Sequence, residues 1–183
     1  SNHDQRRLLS RYASASNRVA RGRVAAALVL CLRGTPFLYY GEEIGMLDGK
    51  IRKNELQDPL GKQYWPLPIA RDPARTPMQW SAGPNAGFSN AKPWLPVQED
   101  FASINVAHAE RDEGSLLHWY RQLIRIRREE PPLHRGSYRR LDQGGANMIA
   151  AASFARRPVA IALDQVGMRA LAVLTGEGRL EEV

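Results

Sequence analysis

The residues able to do chemistry in this chain are few, and the first of them come early. His3 and Asp4 stand side by side near the start. A carboxylate at that position can accept a hydrogen bond from a hydroxyl or stabilise developing positive charge, and the neighbouring imidazole can donate. The pair has no third partner at metal or triad spacing, because the other histidines are His108, His118 and His134. On residue types alone, a surface ion pair or a local cap is the better account of it. Cys31 is the sole cysteine. It permits no intramolecular disulfide and no cysteine-based zinc site, and its small apolar neighbours read as core rather than as the setting of a nucleophile. Arg71 and Arg75 fall in a proline-rich stretch, where loop packing and salt bridging are sufficient roles for them.

These residues need elements to hold them. Residues 5–32 read as one helix, rich in Arg, Ala and Leu, with Val19, Arg23, Ala26, Ala27 and Leu30 recurring at three- and four-residue spacing. Gly34 and Pro36 stop it. Residues 36–40, all apolar or aromatic, have the length of a buried parallel strand and end at Gly41. Helix, short turn, apolar strand and Gly turn together have the rhythm of an α/β unit. From 42 to 99 there is no sustained periodicity. That segment holds eight of the prolines and three of the four tryptophans, Trp65, Trp80 and Trp94. So many indoles argue for an ordered loop anchored by buried rings rather than a disordered linker.

A second helix is expected over 116–128, with Ser115 as N-cap and Leu116, Leu117, Tyr120, Leu123, Ile124 and Arg127 on one side. Arg125, Arg127 and Arg128 suit the negative end of its dipole, and Pro131-Pro132 prevents continuation. Residues 136–141, 148–154, 158–163 and 168–174 then read as short strands separated by turn residues, the pattern of an antiparallel sheet.

Several motifs, taken in order, resemble the α-amylase family of glycoside hydrolases, nearest to α-glucosidases and oligo-1,6-glucosidases. They are SNHD at 1–4, TPFLYYGEEIGM at 35–46, LQDPLGK at 56–62 and RDPARTPMQW at 71–80. AGFS at 86–89, PWLP at 93–96, SLLHWYRQLIRIR at 115–127 and GSY at 136–138 extend the likeness over residues 1–140, beyond which it weakens. The resemblance implies an α/β fold: the C-terminal part of a (β/α)8 barrel followed by a small antiparallel β-sandwich. Residues 1–130 would be the barrel portion, with a long loop at 42–113, and 131–183 a small, incomplete β domain. Asn2-His3-Asp4 would close the seventh barrel strand, on the face where barrel enzymes place their chemistry.

The family is retaining, which requires a carboxylate nucleophile and an acid/base about 5 Å apart. By the resemblance, Asp4 is the third, transition-state-stabilising carboxylate, the catalytic residue of this chain. His3 and Arg71 are substrate-binding residues in the same sugar subsite. The nucleophile and acid/base segments would precede Asn2, and Glu42 and Glu43 match a structural position instead. The chain alone is therefore expected to be inactive, a part of an α-glucosidase acting on maltose- or isomaltose-type oligosaccharides. Its partners would be that α-glucoside and the missing N-terminal barrel segment. Trehalose synthase and sucrose isomerase share the architecture and stay open as alternatives. A non-catalytic barrel-like subunit is a further one, against which the intact Asn2-His3-Asp4 and Arg71 speak. No cofactor and no metal are assigned.

Composition narrows the rest. The 183 residues are 43% hydrophobic and 25% charged, which suits a folded domain rather than disorder. Net charge is +7, yet only four of the 26 basic residues are lysines. Charge alone attracts phosphates non-specifically, and no helix-turn-helix or zinc spacing accompanies it, so no nucleic-acid partner is assigned. No apolar run reaches eighteen residues and no secretory signal is apparent, which gives no membrane partner and a cytoplasmic expectation.

Overall fold

Alanine-rich and leucine-rich stretches fold here as short helices joined by proline-punctuated turns. The computed structural model describes residues 1–13 and 15–135, and beyond them the strand segments at 137–139, 148–154, 157–163, 170–174 and 180–181. The helices are α1 (Leu8–Tyr12), α2 (Arg18–Cys31), α3 (Pro59–Gln63), α4 (Val106–Arg111), α5 (Leu116–Glu129) and α6 (Pro132–Arg135). Turns of 3-10 helix lie at Ala15–Asn17, Lys53–Glu55, Asp72–Arg75 and Pro84–Gly87. The strands are β1 (Ser137–Arg139), β2 (Met148–Phe154), β3 (Arg157–Leu163), β4 (Ala170–Leu174) and β5 (Leu180–Glu181). They pair antiparallel in sequence order within one sheet, with irregular register at 148–150 and 161–163.

The chain divides into two compact units. The first comprises Ser1–Arg18 and Leu38–His118. Its apolar centre is Ile44, Met46, Met78, Ala109 and Leu117, with Val106 packed against them. The turn leading into that centre needs Gly41, whose φ is +84°. A Cβ there would lie 2.5 Å from the Met46 sulfur, so both conformation and space demand glycine. Polar side chains are buried as well: Asp58, Asp72, Thr76 and Gln79 are all inside. The second unit comprises Val19–Phe37 and Trp119–Val183. In it Ala26, Ala27, Leu30 and Cys31 of α2 are buried, as are Trp119, Tyr120 and Leu123 of α5. Trp119 Nε1 donates to the Arg23 carbonyl at 3.1 Å. The Arg127 guanidinium gathers the carbonyls of Leu30 (2.6 Å), Leu32 (3.0 Å), Gly34 (2.5 Å) and Leu133 (3.2 Å). It thereby satisfies acceptors that the end of α2 leaves without intrahelical partners.

The expected fold class does not stand. Among the described residues there is no parallel strand pair and no βα unit, and the regular structure of residues 1–135 is entirely helical. The described strands form one meandering sheet rather than two packed layers, so among the described residues there is neither a barrel portion nor a sandwich. Residues 36–40 form no strand, and Phe37 is 80% exposed. A parallel strand exists only through a neighbouring strand, and here the backbone and hydroxyls find other partners. Tyr40 O accepts from Arg7, while the Tyr39 and Tyr40 hydroxyls donate to the carbonyls of Ala74 and Thr76.

Other elements differ in detail. The single helix expected over 5–32 is broken: Ala13 is extended, and a 3-10 turn intervenes before α2. The Ser10 hydroxyl accepts from the Asp48 amide (2.6 Å), an example of a short polar side chain serving backbone outside its own helix. The tryptophans of the long loop do not anchor it. Trp65, Trp80 and Trp94 are 43%, 50% and 70% exposed. Leu56, Met78, Leu95 and the buried polar residues hold the loop instead. Ser115 does cap α5, accepting from the His118 amide at 3.4 Å, whereas Ile124 faces solvent.

Candidate functional site

The segment carrying Asp4 is a turn closed by its own side chain. Asn2 Oδ1 accepts from the Asp4 amide at 2.9 Å, as Asx turns do. The turn is tied down on the C-terminal side. The Arg7 amide donates to Asp48 Oδ1 at 2.7 Å, and Arg7 Nη1 donates to the Tyr40 carbonyl at 2.6 Å. The Arg7 guanidinium, buried, stacks on the rings of Tyr39 and Tyr40 at 5.3 and 4.6 Å. Backbone and guanidinium together fix where the turn begins and ends.

Asp4 remains half exposed. Its Oδ1 accepts from Arg75 Nη2 at 3.0 Å and from Arg71 Nη1 at 3.3 Å. Its Oδ2 lies 3.3 Å from His3 Nε2. Arg75 also donates through Nε to the His3 carbonyl at 2.8 Å, so one guanidinium holds both the carboxylate and its backbone. His3, Asp4 and Arg71, the three residues singled out from the sequence, are thus brought together. Arg75 joins them, although residue types gave it only a packing role.

Arg71 is positioned from behind. Its Nη2 and Nε donate to Asp58 Oδ1 at 2.6 and 3.2 Å, and its amide donates to Asp58 Oδ2 at 2.9 Å. Asp58 is buried, and hydrogen bonds from Arg71 draw its carboxyl down from 3.8 to about 2, against the opposing effect of burial. Asp72 is fully buried in turn, and its Oδ2 accepts from the amides of Gln57 (2.6 Å) and Asp58 (2.8 Å). The order is a relay of positions: Asp72 fixes the backbone at Asp58, Asp58 fixes the Arg71 fork, and Arg71 reaches Asp4. A planar guanidinium suits the middle place because it offers several donors in one rigid frame. Sequence reasoning missed Asp58 and Asp72. Their pairing across a thirteen-residue loop leaves no local periodic signal, and the Asp58-Pro59 start of α3 reads as an ordinary helix entry.

Asp4 and Arg71 line a cleft of about 920 Å³, together with Gln5, Arg6, Arg11, Asp48 and a continuous wall from residues 65–71. That volume falls in the upper part of the range of small-molecule sites. Asp48, the other acid there, is engaged by Arg6 at 2.8 Å. Glu42 and Glu43 lie elsewhere. Glu42 accepts from the Ser1 amino group (2.7 Å) and hydroxyl and is buried. Glu43, pushed above its ordinary value by burial, lines a separate apolar cavity of about 390 Å³ beside Trp80 and Phe88. What the cleft offers chemically is an oriented, solvent-accessible carboxylate able to accept from hydroxyls and to face positive charge. Among the described residues, no group of three or more His, Cys, Asp or Glu could hold a metal. Among them, too, no helix is long and apolar enough to cross a membrane.

Comparison with known proteins agrees with these motifs. Residues 1–136 match the family model described as alpha amylase, catalytic domain. A probable alpha-glucosidase of Rhizobium meliloti (strain 1021) is 34% identical over 100% of this chain, which spans 35% of that protein. A probable oligo-1,6-glucosidase of Bacillus subtilis (strain 168) is 38% identical over 75% of the chain and 28% of its own length. Among solved structures, isomaltulose synthase from Erwinia rhapontici NX5 superposes with a TM-score of 0.76 at 30% identity, over 88% of this chain and 33% of that one. The chain therefore spans about a third of the length of the relatives it matches. A match to the family model over nearly three quarters of the sequence, joined to close relatives by name among glucosidases, makes this chain a member of the α-amylase family, in its α-glucosidase and glucoside-isomerase branch.

Proposed function

We propose that this chain supplies the transition-state-stabilising carboxylate, Asp4, of a retaining site that transfers α-glucosyl groups. The observation that carries the reading is the hold on Asp4 itself. Two guanidinium groups fix a half-exposed carboxylate, with an imidazole 3.3 Å away, at a cleft of sugar-binding size. In a glycosyl transfer of this kind the sugar passes through an oxocarbenium-like state, and a preset carboxylate stabilises its positive charge without reorganising. Arg71 and His3 would donate to hydroxyls of the same ring. The nucleophile and the acid/base would come from polypeptide outside residues 1–183, so residues 1–183 alone should release no glucose from maltose.

The glucosyl group can then go to one of two acceptors. In the sucrose-isomerase reading it returns to a different hydroxyl of the leaving sugar, a reading that the likeness to isomaltulose synthase supports. In the α-glucosidase reading it goes to water, which the identity to a probable alpha-glucosidase over the whole chain supports. We favour the first, because the likeness to isomaltulose synthase extends over 88% of this chain. A cytoplasmic setting goes with either reading. The protein expressed at the full length of its gene, given sucrose, should yield an isomeric disaccharide with little free glucose. Equal glucose and fructose would establish the hydrolase reading instead, and turnover of none of sucrose, maltose and isomaltose would overturn both.

A further inference from the structure

Trp65 is unusual among the exposed aromatic residues because of where it stands. Of Trp65, Trp80 and Trp94, it alone lines the cleft that holds Asp4 and Arg71. Its indole is 43% exposed, although so large an apolar surface is ordinarily buried. Residues 65–71 form one wall without interruption, so the ring and the Arg71 guanidinium belong to the same short piece of chain, six residues apart.

That piece of chain is closed tightly at its base. A Cβ on Gly61 would lie 2.6 Å from the Ala70 Cβ, so α3 and Ala70 touch where the excursion starts and ends. Between them the backbone bonds to itself: Tyr64 N to Leu60 O at 3.0 Å, Leu67 N to Tyr64 O at 2.8 Å and Ile69 N to Leu67 O at 2.9 Å. Pro66 and Pro68 restrict the same residues further. Just beyond, Arg71 is anchored through three bonds to buried Asp58. The indole is thus presented on a preorganised loop at a fixed offset from the carboxylate-holding arginine, and little ordering remains to be done when a ligand arrives.

A pyranose ring has an apolar C–H face and a rim of hydroxyls, and the cleft offers a partner for each. The indole suits the C–H face, and charged side chains in the same cleft suit the rim. We infer that Trp65 is the stacking platform for the second sugar ring of the substrate, the leaving sugar, and so a specificity-determining residue. The inference rests on the α-glucosyl-transfer reading above.

The test uses the protein expressed at the full length of its gene, with Trp65→Ala and Trp65→Phe, on two substrates. Sucrose or maltose carries a second ring, whereas α-glucosyl fluoride has a leaving group too small to reach the indole. Trp65→Ala should lower kcat/KM for the disaccharide about tenfold, the scale of one aromatic contact. It should leave α-glucosyl fluoride within twofold of the parent, and Trp65→Phe should recover most of the disaccharide rate. Equal losses on both substrates would make the ring a structural or protein-covered element and overturn the inference, as would no loss on either. Failure of the parent protein to turn over any of these substrates would instead bring down the glucosyl-transfer reading, and this inference with it.

Discussion

Replacing Asp58 by Asn removes the buried anion on which Arg71 is mounted while keeping the side chain's size. The Asp58 carboxyl lies at about 2 against an ordinary 3.8, held down chiefly by the hydrogen bonds of Arg71. Each unit of such a shift is worth about 1.4 kcal/mol, so the ionised carboxylate contributes about 2 kcal/mol to the folded state at neutral pH. A carboxyl depressed on folding stabilises the fold above its unfolded pKa and loses that contribution as pH falls through its folded value. The window is therefore roughly pH 4 down to 2. Urea unfolding followed by tryptophan fluorescence, at pH 7, 4 and 2.5, isolates the contribution as a difference between parent and Asp58→Asn. The pH-dependent part of that difference should be about 2 kcal/mol and should vanish toward pH 2. If the two proteins lose stability in parallel across that window, the Asp58–Arg71 pair does not hold the loop as described.

Three more outcomes follow from the geometry. Arg127→Ala frees three carbonyls at the end of α2 and one in α6 and should cost about 2 kcal/mol, read as a lowered urea midpoint; an unchanged midpoint would mean that water replaces the guanidinium at no cost. Cys31 is buried and its thiol is pushed up to about 11 by burial, so it should resist a disulfide-exchange reagent at pH 8 until urea unfolds the chain. Stoichiometric labelling of the native protein within minutes would contradict that placement. Gly41→Ala combines a φ of +84° with a 2.5 Å approach to Met46 and should destabilise by about 1–3 kcal/mol in a thermal melt; no change would show that the turn can relax.

What could be read from the sequence was local. Ser115 announces α5 because an N-cap and an apolar face are encoded within a few residues. The strand segments β2, β3 and β4 fall where turn residues punctuate apolar runs. Asp4, His3 and Arg71 could be gathered only through the resemblance, since no spacing joins residues 3 and 71. The structure then supplies what spacing cannot: the second guanidinium, Arg75, and the Asp58–Asp72 relay behind Arg71. The failures share a cause. Residues 36–40 are apolar enough for a strand, but strand character depends on a neighbour that composition does not name. The tryptophans of the long loop were read as anchors because indoles favour burial, yet the buried polar side chains Asp58, Asp72, Gln79 and Gln98 take that part. A hydrogen-bonded polar interior leaves no hydropathy signal.

The role of Asp4 is tested most directly by Asp4→Asn in the protein expressed at the full length of its gene. Asparagine fills the same space between Arg71 and Arg75 but carries no charge to set against the positive sugar ring. kcat for α-glucoside turnover should fall by roughly a hundredfold or more, with the far-UV circular dichroism and the urea midpoint close to those of the parent. An Asp4→Asn variant that keeps more than half of the parent rate would show that the carboxylate at this cleft is not part of the chemistry.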